Sequence, residues 1–263
     1  MTDRVTIEIE DHVARVTMNR PDKLNALDPA QIEAIVAAGR EVSETRGVRA
    51  VVLTGAGKAF CAGLDMASMA TIAQDAAKNG FQARTHGISN LFQATAMVWA
   101  ECPVPVIAAV SGHTYGGGFQ IALGADMRIA GRDARFSIME TKWGIIPDMG
   151  GMHLARRLMR GDVLRRLTYT AEVFDAQAAR DWGAVTEIAD DPLARAMELA
   201  RAIAQKSPDA IRAAKALITE TEQTSPADTL LAESRVQEAL IGTPNQMEAV
   251  MAGMQKRAPD FKD

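Results

Sequence analysis

The stretch HTYGGGFQIALGADMRIA, His113–Ala130, places Gly116, Gly117 and Gly118 directly before a segment that reads as a short helix, Phe119–Gly124. Gln120, polar and uncharged, lies just inside that helix. Upstream, Pro105–Val110 (PVIAAV) is an apolar run with the length of a buried strand, and Asp126–Ala130 reads as another. A second segment follows the same plan. Ala50–Thr54 is a short apolar strand that runs into Gly55–Met66, GAGKAFCAGLDM, rich in Gly and Ala. N–H groups that open a helix have no intrahelical partner, and the helix dipole makes that end electropositive. Such an end can hold an anion or a developing oxyanion, and glycine lets a ligand touch the backbone. On the residues alone, the triplet fits a tight turn as well as it fits a ligand surface. It is not GxGxxG, and no GKS or GKT follows, so neither standard phosphate cradle is present.

Outward from these segments, Val5–Glu10 and Val13–Met18 alternate apolar and polar residues across Asp11-His12, which predicts a β-hairpin. Asp28-Pro29 is a helix start that continues through 30–44. Residues 67–100 have helical character with a break at Asn79-Gly80, and Ala134–Ser137 reads as a strand. From Asp162 onward helices dominate, near 163–169, 175–181, 192–206, 208–223, 226–241 and 244–256. Turn pairs such as Asp191-Pro192, Ser207-Pro208, Ser225-Pro226 and Thr243-Pro244 separate them. Strands alternating with helices, then a helical tail, predict an α/β fold.

The bulk composition narrows the function classes. The 263 residues are 48% hydrophobic and 24% charged, ordinary for a globular protein, and the net charge of −4 argues against nucleic acid as the main partner. No apolar run reaches the length of a membrane span, and the start MTDRVTIEIE lacks a basic-then-apolar leader pattern. Cys61 and Cys102 form no CxxC and are expected to be reduced packing residues of a cytoplasmic protein. His12, His86, His113 and His153 are scattered, without HxxxH or HExxH spacing, so no metal site is expected.

Taken together, the two glycine-rich segments closely resemble the crotonase (enoyl-CoA hydratase/isomerase) superfamily. The likeness runs through Asn19–Leu27 (NRPDKLNAL), Pro105–Gly112 (PVIAAVSG), Gly124–Ala130 (GADMRIA), Ala178–Ile188 (AARDWGAVTEI) and the tail Lys256–Asp263, in order. The resemblance implies a ββα spiral core over residues 1–200 and a helical region over 201–263 that forms trimers, often paired as hexamers. It implies an acyl-CoA thioester as substrate, with coenzyme A as part of that substrate and no permanently bound cofactor. Two backbone N–H groups would hold the thioester oxygen as it gains enolate charge. By motif position these belong to Leu64, after Ala62-Gly63, and to Gly117. Contacts to the substrate and its coenzyme A portion would come from the first loop, with Lys23 and Ala26, from Ala62, Gly63 and Asp65, and from Gly116 and Gln120. Lys256 matches a lysine that reaches the nucleotide of a neighbouring subunit, although the aromatic residue often found three positions earlier is Gly253 here.

In enoyl-CoA hydratases of this superfamily two glutamates hold the attacking water. The first position is occupied here by Gln120 and the second by Glu140. Eight residues beyond lies Asp148, where hydratases usually carry glycine. A primary amide exchanges no proton usefully near neutrality. Glu140 and Asp148 with a neutral residue at 120 resemble the dienoyl-CoA isomerase branch, which implies Glu140 near the α-carbon and Asp148 at the remote end. A single-glutamate enoyl-CoA isomerase, a hydratase using Asp148, and a non-catalytic acyl-CoA or RNA-binding relative are the competing readings. An aspartate at this place also serves aromatic-acyl-CoA dehalogenases, but their histidine base falls on Gln93 rather than His86. Met66, Met69, Phe81 and Phe92 are expected either as an apolar pocket wall or as helix core.

Overall fold

The computed structural model describes residues 3–68, 71, 74 and 80–263. Strands β1 (Val5–Glu10) and β2 (Val13–Met18) form the expected antiparallel hairpin. It joins in parallel to β3 (Ala50–Gly55), then β5 (Val106–Val110), β7 (Met127–Gly131) and β10 (Glu187–Ala189), giving a six-stranded sheet. A second sheet of four short strands runs β4 (Ala59–Cys61), β6 (His113–Tyr115), β8 (Arg135–Ser137) and β9 (Phe174–Asp175). The chain alternates between the sheets: β3 leads to β4, β5 to β6, and β7 to β8. This repeated strand–strand passage is the expected spiral.

The central strands are buried on both faces, which is why they read as unbroken apolar runs. On β3 and β5, Val51, Leu53, Val106, Ala108 and Val110 point into the main core with Phe60, Trp99, Phe119 and Phe136. Their alternate neighbours Ala50, Val52, Ile107 and Ala109 pack against Ala196, Ala200 and Ala204 of a helix, Pro192–Ala204, that closes the other face. Alanine at every fourth position of that helix gives it a narrow stripe that approaches the sheet closely.

The first helix, α1 (Pro29–Glu44), is capped by the Asp28 carboxylate, which accepts from the Gln31 N–H at 2.8 Å. The next, α2 (Leu91–Ala100), starts at a capping box between Asn90 and Gln93. Residues 80–90 are not helical, contrary to the expected run over 67–100. Gly80 and Gly87 take positive φ, and His86 pairs with Ser89 across a tight loop. A 3-10 turn covers Met66–Ser68, while the expected break residue Asn79 lies outside the described residues. The short helix α3 (Gly117–Leu123) follows β6 directly, and its residues are all buried. At its far end the buried Arg128 guanidinium donates to the carbonyls of Ala122, Ala125 and Ala184. Burial pulls the Arg128 pKa down to about 10, with Asp126 opposing.

The C-terminal helices α8 (Pro208–Thr221), α9 (Pro226–Leu240) and α10 (Pro244–Gln255) bury few side chains of their own. Lys215 ties the first of them to the core, donating to Asp126 and to the carbonyls of Trp99 and Val104. The strands at 59–61, 113–115, 174–175 and 187–189 went unread in the sequence because two or three residues establish no period.

Candidate active site

The segments after β4 and β6 are held in direct contact by glycines. A Cβ on Gly118 would lie 2.2 Å from the Cys61 carbonyl oxygen and 2.7 Å from Cys61 Cβ. Gly63 has φ +90°, and a Cβ there would stand 2.7 Å from the Tyr115 oxygen and 3.8 Å from the Gly117 nitrogen. Leu27 fastens the first segment: its N–H donates to Gly63, and its carbonyl accepts from Asp65, both within 2.9 Å. These contacts bring the Leu64 and Gly117 amides into one wall. Neither N–H has a protein acceptor among the described residues. The Gly117 amide also opens α3, so it lies at the positive end of that helix.

That wall faces a cavity of about 860 Å³. Ala62, Gly63, Leu64, Gly116 and Gly117 form one side. Met66, Phe81 and Phe92 line it too, with Trp143, Ile145 and Ile146, of which Ile146 is the most exposed. Phe81 and Phe92 pack ring to ring at 5.4 Å. Of the four residues expected either as an apolar wall or as helix core, Met69 lies outside the described residues.

Glu140 and Asp148 both line this cavity. Glu140 begins a 3-10 turn, Glu140–Trp143, after β8, and only 7% of it is exposed. Burial pushes its carboxyl above the usual range, and the negative charge of Asp148 adds to this. The N–H dipoles of Met139 and Glu140 and the Gln120 amide pull the other way. Burial also raises the Asp148 carboxyl. Gln120 is buried, and its Nε2 donates to Glu140 Oε1 at 2.6 Å. Glu140 Oε2 is buried without a hydrogen-bond partner among the described residues. Among those residues no cluster of three His, Cys, Asp or Glu side chains could hold a metal.

A family model described as enoyl-CoA hydratase/isomerase matches residues 8–263. The chain belongs to this family, within the crotonase superfamily. A probable enoyl-CoA hydratase of Mycobacterium bovis is 33% identical over 261 residues, covering 98% of each chain. A mitochondrial Delta(3,5)-Delta(2,4)-dienoyl-CoA isomerase of Mus musculus is 32% identical over 257 residues, 94% of this chain and 78% of the relative. The crystal structure of an enoyl-CoA hydratase from Bacillus anthracis superposes with a TM-score of 0.90 at 31% identity, covering 98% and 99% of the two chains. These names lean to hydratases and give the isomerase branch no preference.

The remaining crotonase positions fall in three places. Lys23 ends an exposed 3-10 turn, Pro21–Lys23, and Ala26 follows in the same loop. The Ala26 carbonyl accepts from Arg20 Nη1 at 2.9 Å. Arg20 Nη1 also stands 2.8 Å from the Asp65 carboxylate and holds its pKa below the usual range. Asp65 is therefore engaged throughout: Arg20 holds its carboxylate, its N–H donates to the Leu27 carbonyl, and its own carbonyl accepts from the Ser68 N–H. Lys256 stands apart from the cavity wall, exposed at the C-cap of α10 with φ +52°. Sequence reading named the polar groups of the wall but not Trp143, Ile145 and Ile146. Their run beside Glu140 on a glycine-bearing turn was the available signal. Cys61 and Cys102 are both buried and unbridged, and burial drives the Cys61 thiol up to about 12.

Proposed function

We propose that this crotonase binds an acyl-CoA thioester and shifts the double bonds of an enoyl or dienoyl acyl chain. The thioester oxygen would accept from the N–H groups of Leu64 and Gly117. Enolate charge developing there lowers the barrier to removing the α-proton, each donor being worth about 2.7–4 kcal/mol. Glu140 takes a proton at the α-carbon, and Asp148 serves the remote end of the conjugated system. Burial raises both carboxyls, which brings them closer to proton exchange near neutrality.

The observation that carries this reading is a buried carboxylate, Glu140, and a half-buried one, Asp148, on the same apolar cavity as two unpaired N–H groups. An acceptor left unpaired in a buried place, as Glu140 Oε2 is, favours a partner supplied by the substrate. The hydratase names among the relatives favour a second reading, hydration of a 2-enoyl-CoA with Asp148 replacing the acid absent at position 120. Coenzyme A is then part of the substrate, with Lys23 and Lys256 available to its phosphates. The exposed Leu230, Leu231, Ile241, Met251 and Met254 support burial of the C-terminal helices in a homotrimer or hexamer. A cytoplasmic enzyme is consistent with the buried, unbridged thiols.

Purified protein would be offered a 2-enoyl-, a 3-enoyl- and a 3,5-dienoyl-CoA, with products followed by absorbance and mass. Faster double-bond migration than water addition is expected. Gain of one water on the 2-enoyl substrate, far faster than any migration, would instead establish the hydratase. Gln120→Glu is expected to raise whatever hydration the parent shows.

A further inference from the structure

A primary amide offers one oxygen with two acceptor sites and one nitrogen with two donors. In Gln120 both acceptor sites are used: Oε1 accepts from the N–H of Met149 at 2.8 Å and from that of Gly151 at 2.9 Å. Turning the amide over would set its NH2 against two other donors, so its orientation is fixed. Nε2 is thereby committed to Glu140 Oε1. Gly151 lets this arrangement close, since a Cβ there would stand 2.5 Å from Gln120 Cγ and 2.7 Å from Oε1. The Met149 N–H belongs to the peptide that joins it to Asp148. One amide therefore grips the Glu140 carboxylate with its nitrogen and the backbone beside Asp148 with its oxygen.

We propose that Gln120 is a positioning residue that holds Glu140 and the Asp148 turn as one unit, acting through the two carboxylates rather than on the substrate. The assignment rests on the enolate reading above. In the step concerned, the carbon–hydrogen bond at the acyl α-carbon breaks, its proton bonds to the Glu140 carboxylate, and the electron pair moves into the thioester enolate. A saturated Gln120 oxygen cannot also accept from a water. The donor on Oε1 favours the ionised, basic form of Glu140. Its loss moves the onset of base activity to higher pH.

The test is exchange of the α-protons of a saturated acyl-CoA into deuterium oxide, followed by proton NMR across a pH series. Gln120→Met keeps the chain length and removes every polar contact. It is expected to lower kcat for exchange about 10²-fold with KM little changed, and to move the acid limb upward. Gln120→Glu keeps an oxygen for the two N–H groups and, while protonated, a donor for Glu140. It should preserve exchange at low pH and lose it as the shared proton leaves. A folded Gln120→Met enzyme with an unmoved acid limb, or one altered in KM alone, overturns the assignment. Should that variant fail to fold, a Gln120→Glu profile superimposable on the parent's overturns it. Exchange needs no double bond, so a parent that exchanges but never isomerises refutes the isomerase reading alone. A parent that exchanges the α-protons of no acyl-CoA overturns both.

Discussion

Replacing Gly118 with alanine tests whether the two amides act together. The new Cβ would meet the Cys61 carbonyl oxygen at 2.2 Å and Cys61 Cβ at 2.7 Å. Neither neighbour is the loose end of a side chain. Restoring an ordinary contact moves α3 away from β4 by roughly 1 Å. Gly117 is the next residue on α3, and Leu64 lies three residues beyond Cys61 on the opposite segment. The separation therefore appears between the two N–H donors, and an oxygen held by one is drawn out of reach of the other. Losing one donor corresponds to a fall of about 10²–10³ in kcat. Overpacking should lower stability by about 1–3 kcal/mol. The assay is steady-state turnover of the preferred acyl-CoA beside thermal unfolding. Gly253→Ala serves as the control, because nothing lies within 4 Å of its added methyl and its helical backbone accepts alanine. It should raise stability by about 0.4–1 kcal/mol and leave turnover unchanged. A folded Gly118→Ala enzyme with kcat within about threefold of the parent would refute the shared oxyanion site, since each donor alone is worth far more.

Glu140→Gln is expected to cost about 10²–10⁴ in kcat while making the fold more stable. The Glu140 pKa is raised by burial in the folded chain, so its favourable contribution is present below the unfolded pKa and is lost as pH rises through the folded one. The stability gained by the variant should therefore grow as pH rises from the ordinary glutamate range through the raised folded pKa, read by melting at matched protomer concentration; a gain that is constant with pH contradicts the assigned burial. Leu231→Glu, at a side chain 70% exposed on α9, should shift the sedimentation coefficient toward a smaller species. An unchanged coefficient would exclude this face from any assembly.

Much of the architecture was legible because the determining signals are local. The hairpin at Val5–Met18 shows its alternation, and Asp28, Ser207, Ser225 and Thr243 each cap a helix that begins with proline. The doubly buried strands β3 and β5 show as apolar runs. What escaped reading depends on partners distant in sequence. Loop 80–90 contains residues compatible with a helix, yet the Asn90–Gln93 capping box starts α2 only at Leu91. At the site, the glycines announced a close approach but not its partner. Gly118 meets Cys61, while a Cβ on Gly116 would stand 3.4 Å from Glu140 Oε1. The neutrality of Gln120 was plain in the sequence. Its grip on Met149 and Gly151 requires the chain to return after about thirty residues, and no spacing rule foretells that.

Arg128 carries a consequence for how the site is powered. Its guanidinium sits at the carbonyl end of α3, buried and bonded to the Ala122 and Ala125 oxygens. The helix it closes is seven residues long, or about 10 Å. A unit charge about 15 Å away through protein still contributes on the order of 1 kcal/mol. The pull on the enolate proposed at Gly117 would therefore be tuned partly from behind, by a buried cation at the far end of the helix. A substitution there would remove that charge and also leave the Ala122, Ala125 and Ala184 carbonyls without their donor, so turnover and the seating of α3 should fall together.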